Sequence, residues 1–141
     1  MLKIAVDFDG TIVDNNYPDI GKPKLFAFET LKTLQRNDCQ LILWTYRSGK
    51  TLEEAIDFCR EKGIEFYAVN NSYPEETYSE EISRKINVDI FIDDKNLGGF
   101  PGWSEVWQEI APIIGADKNS EFQGFQQERK TFIKRLFKTF F

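Results

Sequence analysis

A chain of 141 residues, 41% hydrophobic and 29% charged, is long enough for one domain with a real core. It has no histidine and only two cysteines, Cys39 and Cys59, which removes Ser–His–Asp and Cys–His catalysis and suggests neither a zinc site nor a disulfide framework. The net charge of −5 argues against nucleic acid as the main partner, and the absence of a signal-peptide pattern or a long apolar run makes the cytoplasm the default location.

Residues 2–8 read as a buried strand that runs into "VDFDGTIVD" (6–14). Asp7 interrupts its apolar run of Ile4, Ala5, Val6 and Phe8, and Asp9 closes it. Buried carboxylates are costly unless something pairs with them. Two apart on an extended strand, Asp7 and Asp9 face the same way, roughly 7 Å from each other. Gly10 then lets the chain turn, and the turn-rich "DNNYPDIG" (14–21) follows. Residues 23–36 read as a helix with Pro23 at its first position and Ala27, Leu31 and Leu34 on one face. "QLILWT" (40–45) is a short buried strand that hands over to Tyr46 and Arg47 in the loop beyond. A guanidinium there is well shaped to grip a phosphate or carboxylate.

Thr51 and Glu54 have the spacing of a capping box for the next helix. Leu52, Ala55, Ile56 and Cys59 recur at helical spacing and Gly63 ends the run, which makes Cys59 a core thiol. "EFYAV" (65–69) is a third strand, with Asn70 and Asn71 as turn formers after it. Residues 79–86 read as a short helix and "VDIFID" (88–93) as a fourth strand ending in Asp93 and Asp94, with Lys95 and Asn96 in the following loop. Residues 103–114 form a helical pattern that Pro112 should kink, and 115–120 read as a linker. The organisation is therefore an α/β domain over 1–115 and a tail over 116–141. The tail holds six basic and three acidic residues, so the rest of the chain carries −8. Phe125, Phe132, Leu136 and Phe140 recur at helical spacing, with Lys130, Lys134, Arg135 and Lys138 elsewhere around the helix. Such an amphipathic helix packs on its own domain, forms a homo-oligomer contact, or lies on an anionic membrane surface.

Strands alternating with helices imply a mainly parallel sheet with helices on both faces, a three-layer Rossmann-like arrangement. In such sheets ligands bind beyond the carboxyl ends of the strands. Those ends carry Asp7 and Asp9, then Thr45, then Asp93 and Asp94. Carboxylates gathered that closely disfavour joint ionisation, and a hard cation removes the conflict. Mg²⁺ prefers one or two carboxylates plus waters and phosphate oxygens. With the Thr45 hydroxyl and the Lys85 ammonium added, the set is a cradle for a phosphoryl group.

"DFDGTIV" resembles the first motif of the haloacid dehalogenase superfamily, "LILWT" its second, Lys85 its third-motif lysine and "IFIDD" its fourth-motif acidic pair. The resemblance covers about residues 2–100, with all four motifs in order. It implies an aspartyl-phosphate on Asp7, with Asp9 as general acid and then base. It implies that Thr45 and Lys85 hold the phosphoryl oxygens. It implies Mg²⁺ on Asp7, the Asp9 backbone carbonyl and Asp93, with Asp94 as a further ligand or a supporting group. Dehalogenase members lack the second aspartate, so Asp9 favours phosphoryl chemistry. Gly10 and Thr11 resemble the start of a substrate-facing flap, and Tyr46 and Arg47 sit in the loop above the site. Larger members of the superfamily insert a cap between motifs. Here 35 residues separate Asp9 from Thr45 and 39 separate Thr45 from Lys85, which leaves no room for one. The expectation is a capless phosphatase acting on a small or macromolecular phosphoester. The alternatives are a non-enzymatic phosphoacceptor and a binding module that uses the tail.

Overall fold

The computed structural model describes residues 1–117 and Lys134. The expected tail helix and its three roles lie outside the described residues. The chain divides into two compact units, Met1–Phe100 and Pro101–Phe141.

The first unit holds β1 (Lys3–Val6), α1 (Ala27–Arg36), β2 (Gln40–Leu43), α2 (Gly49–Glu61), β3 (Ala68–Val69) and β4 (Ile90–Ile92). The four strands form one all-parallel sheet in the order β3-β2-β1-β4. Parallel neighbours need crossovers, and α1 and α2 supply the first two. The chain thus steps outward from β1 through β2 to β3, then returns through residues 70–89 to the other side of β1. The winding direction reverses between β1 and β4, which is where a parallel sheet opens a crevice at its carboxyl edge.

Ile4, Ala5 and Val6 of β1 and Leu41, Ile42 and Leu43 of β2 are all buried, as a strand covered on both faces requires. Ala5, Ile42 and Ala68 lie in one row across the sheet and form a cluster with Ile86. The helix expected over 79–86 does not form; that stretch is turns and bends. Residues 77–85 are exposed, so no apolar face supports so short a helix, and Ile86 alone reaches the core. Ser72 ties the segment down instead. Its hydroxyl accepts the Asn87 N–H at 2.9 Å, and its carbonyl accepts the Lys3 ammonium at 3.1 Å. Phe28 of α1 meets Phe58 of α2 edge-on at 5.9 Å between ring centroids, and Phe8 meets Phe58 at 6.3 Å.

Other element ends differ from expectation for local reasons. Pro23 does not open α1; it pairs with Val13 in an antiparallel bridge that closes the flap, and α1 begins four residues later. α2 begins at Gly49, so Thr51 falls inside its first turn, where its hydroxyl donates to the Ser48 carbonyl at 2.9 Å. The capping box therefore does not form. β3 is only two residues long. In the second unit α3 (Trp103–Ile110) stops before Pro112, with Trp103, Val106, Trp107 and Ile110 buried. Both cysteines are free and buried, and burial pushes the Cys59 thiol up to about 12, as befits a core group. No described helix is long and apolar enough to cross a membrane.

Candidate metal centre and its cavity

The Asp7 N–H donates to the Ile92 carbonyl at 3.0 Å, which extends the β1–β4 ladder and sets Asp7 beside the Asp93–Asp94 pair. Asp7, Asp93 and Asp94 each offer a carboxylate oxygen, and these oxygens all lie within 4.8 Å of one another. All three residues are half-buried. The Asp7 carboxyl is pushed up from 3.8 to about 7. Burial is the main cause, followed by the Asp93 charge and a hydrogen bond with Asp94, while the Thr11 hydroxyl acts the other way. Three carboxylates, one of them pushed toward its neutral form first by burial and then by its neighbours, offer the hard oxygen donors that a divalent cation takes.

Thr11 and Gly10 both lie against these acids. Thr11 is fully buried, with its Oγ1 3.1 Å from Asp7 Oδ2 and 3.3 Å from Asp94 Oδ1. That same oxygen accepts the Asp94 N–H at 3.0 Å, so one hydroxyl pins the acidic pair to the β1 turn. Gly10 has φ +88°, and a Cβ there would overlap the Asp94 carboxylate. Only glycine meets both conditions.

Asp9 is held apart from the trio. Arg47 Nε and Nη2 donate to its two oxygens, each at 2.8 Å. Arg47 also donates to the carbonyls of Pro18 (3.1 Å), Asp19 (2.7 Å) and Thr51 (3.2 Å). A guanidinium has five N–H donors, and these contacts use them all. Its charged end lies 5.1 Å from the Phe8 ring centre and 5.2 Å from that of Tyr17. The Asp9 hydrogen bond raises the Arg47 pKa further, so the charge is permanent. Arg47 was expected to grip a substrate; in this arrangement it is buried and locks Asp9 to the flap and to α2.

A cavity of about 480 Å³ opens at this edge. Its wall contains Asp7, Asp9, Asn15, Tyr17, Trp44, Thr45, Tyr46, Asp93 and Lys95. Thr45 and Tyr46 both lie on this wall. The Thr45 N–H donates to Asn70 Oδ1 at 2.8 Å, and its hydroxyl accepts the Arg47 N–H at 3.1 Å. Asn70 holds φ +54° and so does more than end β3: it braces the β2 loop. Lys85 does not line the cavity. It is exposed, with its ammonium 5.9 Å from the centre of the Phe91 ring, and that ring meets Trp44 of the cavity wall. The turn-rich stretch 14–21, read from the sequence as a flap, contributes Asn15 and Tyr17 to this wall, and Lys95 and Trp44 join it as residues that the strand-end rule does not single out. The signal for Lys95 was its place directly after the acidic pair, and for Trp44 its place directly before Thr45.

The fold and site together define a parallel α/β protein with a carboxylate cluster at the switch point of its sheet. A solved structure of a conserved protein coded by a Bacteroides thetaiotaomicron locus is 52% identical, with a TM-score of 0.75, and the match covers 79% of this chain and 91% of that one. The chain belongs to the family of that conserved protein. No family model and no curated protein matches it.

Proposed function

We propose that this chain is a Mg²⁺-dependent phosphomonoester hydrolase of the haloacid dehalogenase superfamily, three-layered and without a cap domain. The observation that carries the reading is the separation of two neighbouring aspartates. Asp7 belongs to a close trio of carboxylates with Asp93 and Asp94, while both oxygens of Asp9 are held by Arg47. Two carboxylates in unlike environments suit two unlike tasks.

In this reading a bound Mg²⁺ supplies neutralising charge for the carboxylates and for the phosphoryl oxygens. An Asp7 oxygen bonds to phosphorus as the bond to the leaving oxygen breaks. Asp9, ionised while Arg47 holds both its oxygens, takes up a proton from solvent as that pairing loosens and gives it to the leaving oxygen. It then takes a proton from a water whose oxygen displaces Asp7 from phosphorus, which releases phosphate and restores Asp7, and Asp9 returns that proton to solvent. The oxygen of Asp9 that carries the proton gives up one of its two bonds with Arg47. Thr45 and Lys95 stand at the cavity wall to meet the phosphoryl oxygens. Lys85, which the resemblance casts in that role, stands one ring away over Phe91.

The test is phosphate release from a generic aryl phosphate. Asp7→Asn abolishes it, Asp9→Asn cripples it, and excess EDTA stops the wild-type protein. Turnover surviving in Asp7→Asn protein, or unchanged in EDTA, overturns the assignment.

A further inference from the structure

The cavity is larger than a phosphoryl group needs, and the wall beyond its acids is aromatic. Tyr17, Trp44 and Tyr46 all line it. Tyr46 is 91% exposed and Tyr17 48% exposed, a large apolar area to leave in water at the rim of a site. The two tyrosine rings meet edge-on at 6.2 Å. Tyr17 is backed by the buried Arg47 guanidinium, and Trp44 stands edge-on to Phe91 at 6.4 Å. These contacts set the rings before any ligand arrives, so little ordering cost remains on binding. The Asn15 amide on the same wall offers its NH₂ as a donor, while its oxygen accepts the Tyr17 N–H at 3.3 Å and keeps a second lone pair.

A short aliphatic alcohol has no surface that uses such a wall. A flat ring with polar edges uses both parts of it, stacking on the aromatics and pairing with the amide. We propose that the substrates of this site are phosphomonoesters whose leaving group carries a planar ring with polar edges, of the nucleoside monophosphate class. The proposal rests on the hydrolase reading for turnover, but the ring subsite requires only binding and is tested separately.

The probes are adenosine 5′-monophosphate and ribose 5-phosphate, which present the same kind of alkyl phosphate with and without the ring. With Mg²⁺, kcat/KM is expected to favour the nucleotide by about tenfold or more, the usual size of one base stacked on an aromatic side chain. Tyr46→Ala collapses that ratio and Tyr46→Phe keeps it. The exposure of Tyr46 makes both variants compatible with folding. Dissociation constants of the two probes on Asp7→Asn protein, by calorimetry, repeat the comparison where turnover does not interfere. Equal turnover of the two probes overturns the ring subsite and leaves the hydrolase reading standing. A Tyr46-dependent binding preference for the nucleotide, with neither probe hydrolysed by the wild-type protein, supports the subsite and counts against hydrolysis. No turnover and no binding preference overturns both.

Discussion

Truncating Arg47 to alanine leaves the Asp9 carboxylate without its cation and strips a hydrogen bond from each of three carbonyls, those of Pro18, Asp19 and Thr51. Breaking a buried ion pair from one side costs about 3–5 kcal/mol, because the charge that remains is uncompensated. Arg47→Ala is therefore expected to lower the urea midpoint severely, and Arg47→Lys to fall between it and the wild type, since one ammonium cannot reproduce a fork. An Arg47→Ala midpoint within experimental error of the wild type would contradict the geometry. At this scale the sequence was informative where a residue's place follows from its strand. Asp7, Asp93 and Asp94 sit at strand ends, and the strand-end rule turns sequence position into location. Arg47 sits in a loop, and its burial depends on carbonyls 28 and 29 residues earlier in the chain. Nothing in "TYRSG" shows that closure, so an exposed gripping role was the natural expectation.

Among the elements, the turn after β1 carries the most constraint per residue. Gly10 must hold φ +88° and also leave room for the Asp94 carboxylate. Gly10→Ala strains the backbone and displaces one member of the acidic trio. Losing such support for a metal ligand typically lowers metal affinity about 10–100-fold. Mg²⁺ titration followed by tryptophan emission, to which Trp44 of the cavity wall contributes, is expected to show that loss; wild-type affinity in Gly10→Ala protein would mean that Asp94 does not support the cation. The element pattern was readable where it had a repeating period. β1, β2 and the apolar faces of α1 and α2 follow from their spacing. The misses were elements decided by partners. Pro23 is claimed by Val13 across the flap. Residues 79–86 have helix-compatible composition, yet only Ile86 among them is buried, so tertiary packing gives a helix nothing to bury.

For the molecule as a whole, the acidic trio links stability to pH and to metal. The Asp7 carboxyl stands at about 7 in the folded chain against an ordinary 3.8. Between those values the folded chain holds a proton that the unfolded chain has released. Stability therefore falls as pH rises through that window, and the contribution present at low pH is lost above about 7. A cation binds the ionised form, so it restores most where that form prevails. The Tm gain on adding Mg²⁺ is expected to be larger at pH about 8 than at pH about 5.5, because Asp7 must shed its proton to bind. The net charge of −5 adds a background, since protonating any exposed acid relieves repulsion across the chain. Asp7→Asn separates the two effects. In metal-free buffer at pH about 8 the variant should melt above the wild type, because one member of a repelling trio is gone. Its Tm should vary less with pH, and its Mg²⁺ gain should shrink toward zero. A Mg²⁺ gain that is equal at both pH values, or intact in Asp7→Asn protein, would show that the cation binds elsewhere. A variant that melts below the wild type in metal-free buffer would show that packing around Asp7 outweighs the charge conflict. The direction of that single shift decides whether the crowded acids are tolerated by the fold for the sake of the ion.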